Sequence, residues 1–260
     1  MEERVAKAKK IGLARALSKI GYCSRSQAGV LIRAGRVAVN SRVVRDPESS
    51  VGLVDGRIVD SERITVDGVV LDAAPRVYLM MNKPRGVVTT TSDEKGRATV
   101  YDLLDAKLPW VGPVGRLDKA SEGLLLLTND SEWAARIAAP ATHLDKKYHV
   151  QIDRVAEAGL LGRITRGADS KDSASRNPGE GLCAKAATIL RHGEKNSWLE
   201  ITLDEGKNRQ IRRLLEGEGV GVLRLVRVSV GPLSLGELKK SAVRELTAEE
   251  KQAIDRAFEA

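Results

Sequence analysis

The residues of this 260-residue chain best placed to do chemistry lie in Gly112-Pro113-Val114-Gly115-Arg116-Leu117-Asp118, which runs on into Ser121-Glu122-Gly123-Leu124. Glycine and proline at 112, 113 and 115 break regular structure just before Arg116 and Asp118. The apolar run that follows has the character of a core strand, so a cation and a carboxylate sit on a loop braced by a rigid element. Taken alone, an aspartate in such a loop more often closes a turn or caps a helix than catalyses, and spacing leaves both readings open. Tyr148 sits in Lys146-Lys147-Tyr148-His149-Val150, an alternating strand pattern in which a tyrosine is either core or catalytic. Ile211, Leu214 and Leu215 form one helical face, with Arg212 at its margin, where it could reach a half-buried acid or stay an exposed helix arginine. Cys23 and Cys183 are far apart, and His143, His149 and His192 show no close pairing, so neither zinc nor a disulfide is expected. Each cysteine reads as a small buried hydrophobe. Without clustered acidic or histidine ligands a metal-dependent nuclease is excluded, and no metal or cofactor is expected.

The elements that must carry these residues fall into two groups. Near the N-terminus, Leu13, Ala16, Leu17 and Ile20 recur at helical spacing up to Gly21. Ser24-Arg25-Ser26-Gln27 reads as a capping box that opens a helix over 25–34, and Gly35 reads as its left-handed cap. Val37 and Val39, a turn at Asn40-Ser41, and Val43-Val44 predict a hairpin; Ile64, Val66, Asp67-Gly68 and Val69 predict another. Residues 72–75 read as a linker. From 77 onward, strands are expected over 77–81, 124–128, 147–152, 199–203 and 220–230, helices over 131–138 and 209–216, and an exposed loop over 170–181. The fold class is α+β: a small α/β module over 10–72 and a larger mixed domain over 76–250 with a mainly antiparallel sheet.

The charge is uneven. Residues 1–45 hold eleven Lys/Arg against two acids, whereas the rest holds 32 against 33, so the whole excess behind the net +8 lies in the first segment. That is the electrostatic footprint of a polyanion binder, nucleic acid before an anionic membrane or acidic partner. No apolar run is long enough to span a bilayer and MEERVAKAKK lacks a signal-peptide core, so a cytoplasmic protein with no membrane partner is expected.

Several ordered motifs give these residues a context. Gly115-Arg116-Leu117-Asp118 followed by Ser121-Glu122-Gly123-Leu124 resembles the signature of pseudouridine synthases, in particular the branch that modifies ribosomal RNA and includes the small-subunit enzyme and its large-subunit relatives. Asn82-Lys83-Pro84-Arg85-Gly86, Lys146-Lys147-Tyr148 and Glu205-Gly206-Lys207-Asn208-Arg209-Gln210-Ile211-Arg212-Arg213 agree in order. The stretch CSRSQAGVLIRAGRVAVNSRVV, with Arg25, Arg33, Arg36 and Arg42, resembles the S-four RNA-binding domain, although GLARALS lacks the basic and acidic pair usual in its first helix.

The resemblance implies that Asp118 is the catalytic aspartate, that Arg212 pairs with it, and that Tyr148 packs on the flipped base and moves a proton. It implies that Arg116 fills the gap left by the flipped uridine, and that Lys83 and Gly86 shape the cleft floor, with a phosphate contact the other reading of Lys83. Arg209 and Arg213 are implied phosphate contacts. A carboxylate suits the reaction, because the N-glycosidic bond must break and the anomeric carbon become electron-deficient before carbon 5 is joined to it. The implied partner is ribosomal RNA or a pre-ribosomal particle, met by a monomer. Asn208-Arg209-Gln210-Ile211-Arg212-Arg213 looks more like the large-subunit enzymes, type B, than the small-subunit enzyme. The competing readings are a small-subunit RNA enzyme and a non-catalytic ribosome-assembly protein that binds RNA. The second has no chemical need to keep Asp118, Tyr148 and Arg212 together.

Overall fold

The computed structural model of the chain describes residues 9–54, 57–91, 93–139, 142, 144–166 and 182–258; the loop expected over 170–181 and His143 lie outside them. The chain begins with β1 (Lys9–Gly12), α1 (Leu13–Lys19), α2 (Arg25–Arg33), β2 (Val37–Val39), β3 (Arg42–Val44), β4 (Ser50–Val54), β5 (Arg57–Ile58), β6 (Ile64–Val66) and β7 (Val69–Val70). It continues with β8 (Tyr78–Lys83), a short 3-10 helix (Val100–Leu103), β9 (Gly112–Val114), β10 (Glu122–Thr128), α3 (Ser131–Ala138), β11 (Lys146–Ile152) and α4 (Ala158–Arg166). The last elements are β12 (Ala186–His192), β13 (Ser197–Leu203), α5 (Gln210–Gly217), β14 (Val222–Val230), β15 (Leu233–Ser234), β16 (Val243–Glu245) and α6 (Ala248–Arg256). Packing groups them into two units, one of residues up to Leu79 with Leu104–Pro113 and Leu127–Ala134, the other of Met80–Leu103, Val114–Leu126 and the chain from Ala135.

Local chemistry accounts for most of the first unit. Ser24 Oγ accepts from Gln27 N at 3.2 Å while Gln27 Oε1 accepts from Ser24 N at 3.0 Å, so the capping box starts α2 as expected. Asn40-Ser41 and Asp67-Gly68 all take positive φ, the geometry of two-residue hairpin turns, and they close β2–β3 and β6–β7. These strands form a four-stranded sheet ordered β3-β2-β6-β7, beside a three-stranded sheet β1-β4-β5 that the pattern of the sequence did not announce. Leu13, Leu17, Ile32, Val37 and Ile64 are completely enclosed and form the core with Val51 and Val66.

The second unit is built on a nine-stranded sheet whose main path runs β12-β13-β11-β14-β10-β8-β16, with β15 on β14 and β9 on β10. The sheet is mostly antiparallel, but β10 runs parallel to β14. All seven residues of β10 are buried, which is why it reads as an unbroken apolar run rather than an alternation. The architecture is therefore mixed α+β. α4, β12, β15, β16 and α6 went unread in the sequence, and Gly112 and Pro113, read as breaking regular structure, lie in the short strand β9. No helix among the described residues is long and apolar enough to cross a membrane.

The two cysteines part company. Cys23 is half-buried against the core, and burial pushes its thiol up to about 11. Cys183, read as a buried hydrophobe, is exposed: it lies between buried Leu182 and Ala184, and alternation in an extended segment turns it outward.

Candidate active site

Residues 115–121 connect β9 to β10, and the way this loop is held defines the site. Gly115 takes φ +72°, a conformation open to glycine, as the chain enters it. Five consecutive backbone carbonyls then each accept a hydrogen bond. Thr89 Oγ1 donates to Leu117 O at 2.8 Å, and Lys83 Nζ donates to Asp118 O at 3.2 Å and to Ser121 O at 2.9 Å. Gly86 N donates to Lys119 O at 2.8 Å, and Arg212 Nη2 to Ala120 O at 3.1 Å. Three of these four donors come from the segment that opens with Asn82-Lys83-Pro84-Arg85-Gly86, so that motif acts as a brace. Gly86 can serve because it takes φ +94°.

Lys83 is 0% exposed and also donates to Pro84 O at 3.0 Å, so its ammonium gives all three protons to carbonyls. Burial lowers its pKa to about 8, against the opposing pull of Asp118 and Glu122 and with a smaller push from Arg227. The phosphate contact considered for Lys83 is thereby corrected, because an enclosed, fully used ammonium cannot reach RNA. It holds the loop from beneath.

The carboxylate of Asp118 is treated differently from its backbone. Asp118 is half-buried, lines a cleft of about 570 Å³, and its side chain makes no hydrogen bond or ion pair with a described residue. The neighbouring acids are occupied. Glu205, also at the cleft, is tied to Lys207 at 3.1 Å and to Gln210 at 3.0 Å. Glu122 is buried and gripped by Arg224 at 2.9 and 3.1 Å; burial alone would raise its pKa, but Arg224 and Lys240 outweigh it and hold it down. Tyr148 is 9% exposed, lines the same cleft, and its hydroxyl has no partner among the described residues.

Arg212 lies close to Asp118 but does not form the expected ion pair with it. The guanidinium donates to Ala120 O and, at 3.3 Å, to Val222 O, while its Nε is enclosed without a partner among the described residues. Burial lowers its pKa, Arg209 adds to this and Asp118 opposes it. The physical reason for the missing pair is that the carbonyl of Ala120, in the loop that carries Asp118, takes the terminal nitrogen instead.

The remaining expected residues divide. Arg116 and Arg209 are exposed and line the cleft, and Arg213 is exposed outside its lining. Arg209 takes φ 49°, which a helix cannot continue, so α5 starts one residue later than its apolar spacing suggests. Arg25, Arg33, Arg36 and Arg42 are exposed in the first unit; Arg36 is clamped by Asp67, with Nε at 2.9 Å from Oδ1. Three contributors were missed. Thr89 gave no sequence signal. Gln210, buried, knots the loop before α5 through Cys183 O, Glu205 and Lys207 N. Arg227, buried in β14 and lining the cleft, could have been noticed as a charge in phase with Leu225 on an apolar strand.

Comparison with known proteins finds the family model described as RNA pseudouridylate synthase over residues 77–217 and the S4 domain model over 11–56. The chain is similar to the ribosomal large subunit pseudouridine synthase B of Bacillus subtilis, 34% identical over 92% of this chain and 93% of that one. It is likewise similar to an uncharacterized RNA pseudouridine synthase of Mycobacterium bovis, 36% identical over 92% and 91%. A solved pseudouridylate synthase superposes with a TM-score of 0.62 at 27% identity, covering 94% of this chain and 99% of the other.

Proposed function

Because the chain belongs to the RNA pseudouridylate synthase family and carries an S4 RNA-binding domain, we propose that it isomerises one uridine of ribosomal RNA, in the large subunit, with Asp118 as the reacting carboxylate. The observation that carries this reading is the contrast inside 117–121: each of these five carbonyls is tied down, yet the Asp118 carboxylate has no partner among the described residues, at a cleft of about 570 Å³. That volume is within the ~300–1,000 Å³ of small-molecule pockets and suits an extruded nucleotide. Residues 10–72 hold the RNA, and residues 76–250 perform the chemistry.

The flipped uridine enters with its anomeric carbon toward Asp118. The carboxylate attacks that carbon or stabilises its developing positive charge as the bond to N1 breaks. Tyr148 packs on the base and handles a proton, and Arg116 stands at the mouth, where it can fill the vacated stack. Arg212 sets the electrostatics of the aspartate. Its unpartnered Nε supports a shift toward the carboxylate on substrate binding, since catalytic hydrogen bonds are often long before the complex forms.

The large-subunit assignment draws on the Bacillus subtilis relative and on Asn208-Arg209-Gln210-Ile211-Arg212-Arg213. The test is to delete the gene and map pseudouridine across the ribosomal RNA of the host. One large-subunit site should disappear, and return with the wild-type gene but not with Asp118→Asn, which is nearly isosteric but not anionic. Loss of a small-subunit site would move the target, and an unchanged map would refute the reading.

A further inference from the structure

Two cations at the cleft are not used by the chemistry above. Arg227 is 6% exposed, faces Tyr148 across the β11–β14 ladder, and lines the cleft. Its Nε donates to Leu124 O at 2.7 Å, but its two terminal nitrogens have no partner among the described residues. They are not sealed in: the one enclosed side-chain polar atom without a partner, among the described residues, is Arg212 Nε. Lys146 stands two residues before Tyr148 on the same strand face, half-buried at the cleft, and its ammonium likewise makes no hydrogen bond or ion pair with a described residue. Burial lowers its pKa and Arg227 lowers it further, while Asp145 and Asp204 pull it back.

The backbone that carries Arg227 is fixed closely against β10, and Leu124 O holds its Nε. Gly123 takes φ +101°, and a Cβ there would lie 2.2 Å from Arg227 O, so only glycine lets β10 press against β14 at this residue. Two unpaired cations brought out of water toward one cavity are unfavourable unless negative charge arrives there. The pseudouridylation reaction generates such a charge. When the C1′–N1 bond breaks, its electron pair leaves with the uracil ring and spreads over N1, O2 and O4. After the ring turns, a pair from the ring forms the C5–C1′ bond, C5 gives up its proton and N1 gains one, so nothing is added or lost overall. A phosphate is the other anion available. Leu203, Leu225 and Val230, which line the same cleft, favour a flat base over a hydrated phosphate.

We propose that Arg227 and Lys146 form the site that stabilises the detached uracil anion, the guanidinium and the ammonium engaging its carbonyl oxygens. The proposal rests on the synthase reading above and assigns to this pair the role that preorganised donors play at a developing oxyanion.

The experiment measures single-turnover conversion and RNA Kd separately for wild type, Arg227→Gln, Arg227→Lys and Lys146→Met. Arg227→Gln should slow conversion by about 10²–10³-fold, the range for loss of one such donor. Lys146→Met should slow it by at least about tenfold on the same grounds, Arg227→Lys should recover most of the rate, and Kd should stay within about threefold throughout. Melting temperatures report on folding; if Arg227→Gln does not fold, Lys146→Met, altered at a half-exposed position, decides alone. Wild-type rates in the folded variants would overturn the proposal, and so would a loss confined to Kd, which would make the pair a phosphate contact. Active wild type with unaffected variants defeats this inference only, whereas wild type that converts no uridine defeats the reading beneath it.

Discussion

Arg25, Arg33 and Arg42 of the first unit stand exposed with no side-chain partner among the described residues, whereas Lys83 of the second is enclosed and gives every proton to a carbonyl. Arg212 sits between the extremes, half-buried, with two terminal nitrogens on carbonyls and Nε without a partner among the described residues. The surroundings of a positive charge decide what it does. A cation in water acts at a distance on any polyanion and is screened by salt. A cation that has given its protons to backbone carbonyls no longer recruits RNA; it fixes geometry, and salt hardly affects it.

Lys83→Met should therefore be the most damaging change at the loop. Methionine nearly fills the space but leaves Pro84 O and Ser121 O without this donor and Asp118 O with Ser121 N alone, and the cost should be about 2–3 kcal/mol of stability. Turnover should fall by about 10²–10³-fold through displacement of Asp118, with RNA affinity almost unchanged. The same residue gives a pH signature. Its folded pKa is lowered from 10.5 to about 8, so between those values the unfolded chain binds more protons than the folded one. The stability of wild type relative to Lys83→Met should consequently rise as pH goes from about 8 to about 10.5. Denaturant unfolding of both proteins near the two ends of that range measures this, and a falling difference would mean that Lys83 is not held as a costly buried ammonium.

Arg212 and Arg213 sharpen the contrast on a single helix. Arg212→Ala removes the donors to Ala120 O and Val222 O and should lower single-turnover rate by about 10²-fold, with little change in Kd. Arg213→Ala, at an exposed position, should leave the rate within about threefold and weaken RNA binding modestly. Equal rate losses would erase the distinction between a positioning cation and a surface one.

What the sequence disclosed follows the same division. The capping box at Ser24, the two hairpin turns and the buried strand of β10 were legible, because each is a local rule of spacing or turn chemistry. β1, β4 and β5 were not, since strands of two to five residues acquire their identity from their partners. At the site, Asp118, Tyr148 and Arg212 emerged only through the ordered motifs; helical and strand spacing left each with a structural alternative. The function of Lys83 was invisible because nothing local distinguishes a lysine that meets phosphate from one that meets carbonyls 35 and 38 residues away. Arg227 was missed for a related reason: Leu124, whose carbonyl takes its Nε, is distant in sequence and adjacent only once β10 lies parallel to β14.

The smallest expected effect tests the other side of the comparison, the exposed arginines. Changing Arg25, Arg33 and Arg42 together to alanine should leave single-turnover rate at saturating RNA unchanged and reduce the slope of log K against log salt by about 2–3, at roughly 0.7–0.9 for each phosphate no longer neutralised. Arg36 is the internal control. It is equally exposed and equally basic, but Asp67 engages its guanidinium through both Nε and Nη2, and that hydrogen bond holds the Asp67 carboxyl below its ordinary range. The pair presents almost no net charge to a polyanion, so Arg36→Ala should barely move the salt slope. Asp67→Asn should release the guanidinium and steepen the slope by up to about 0.9, the share of one neutralised phosphate. Filter-binding titrations from low to moderate salt on the full chain decide the matter. If Arg36→Ala flattens the slope as much as Arg42→Ala does, Asp67 yields its arginine to RNA, and exposure rather than pairing sets how these charges are used.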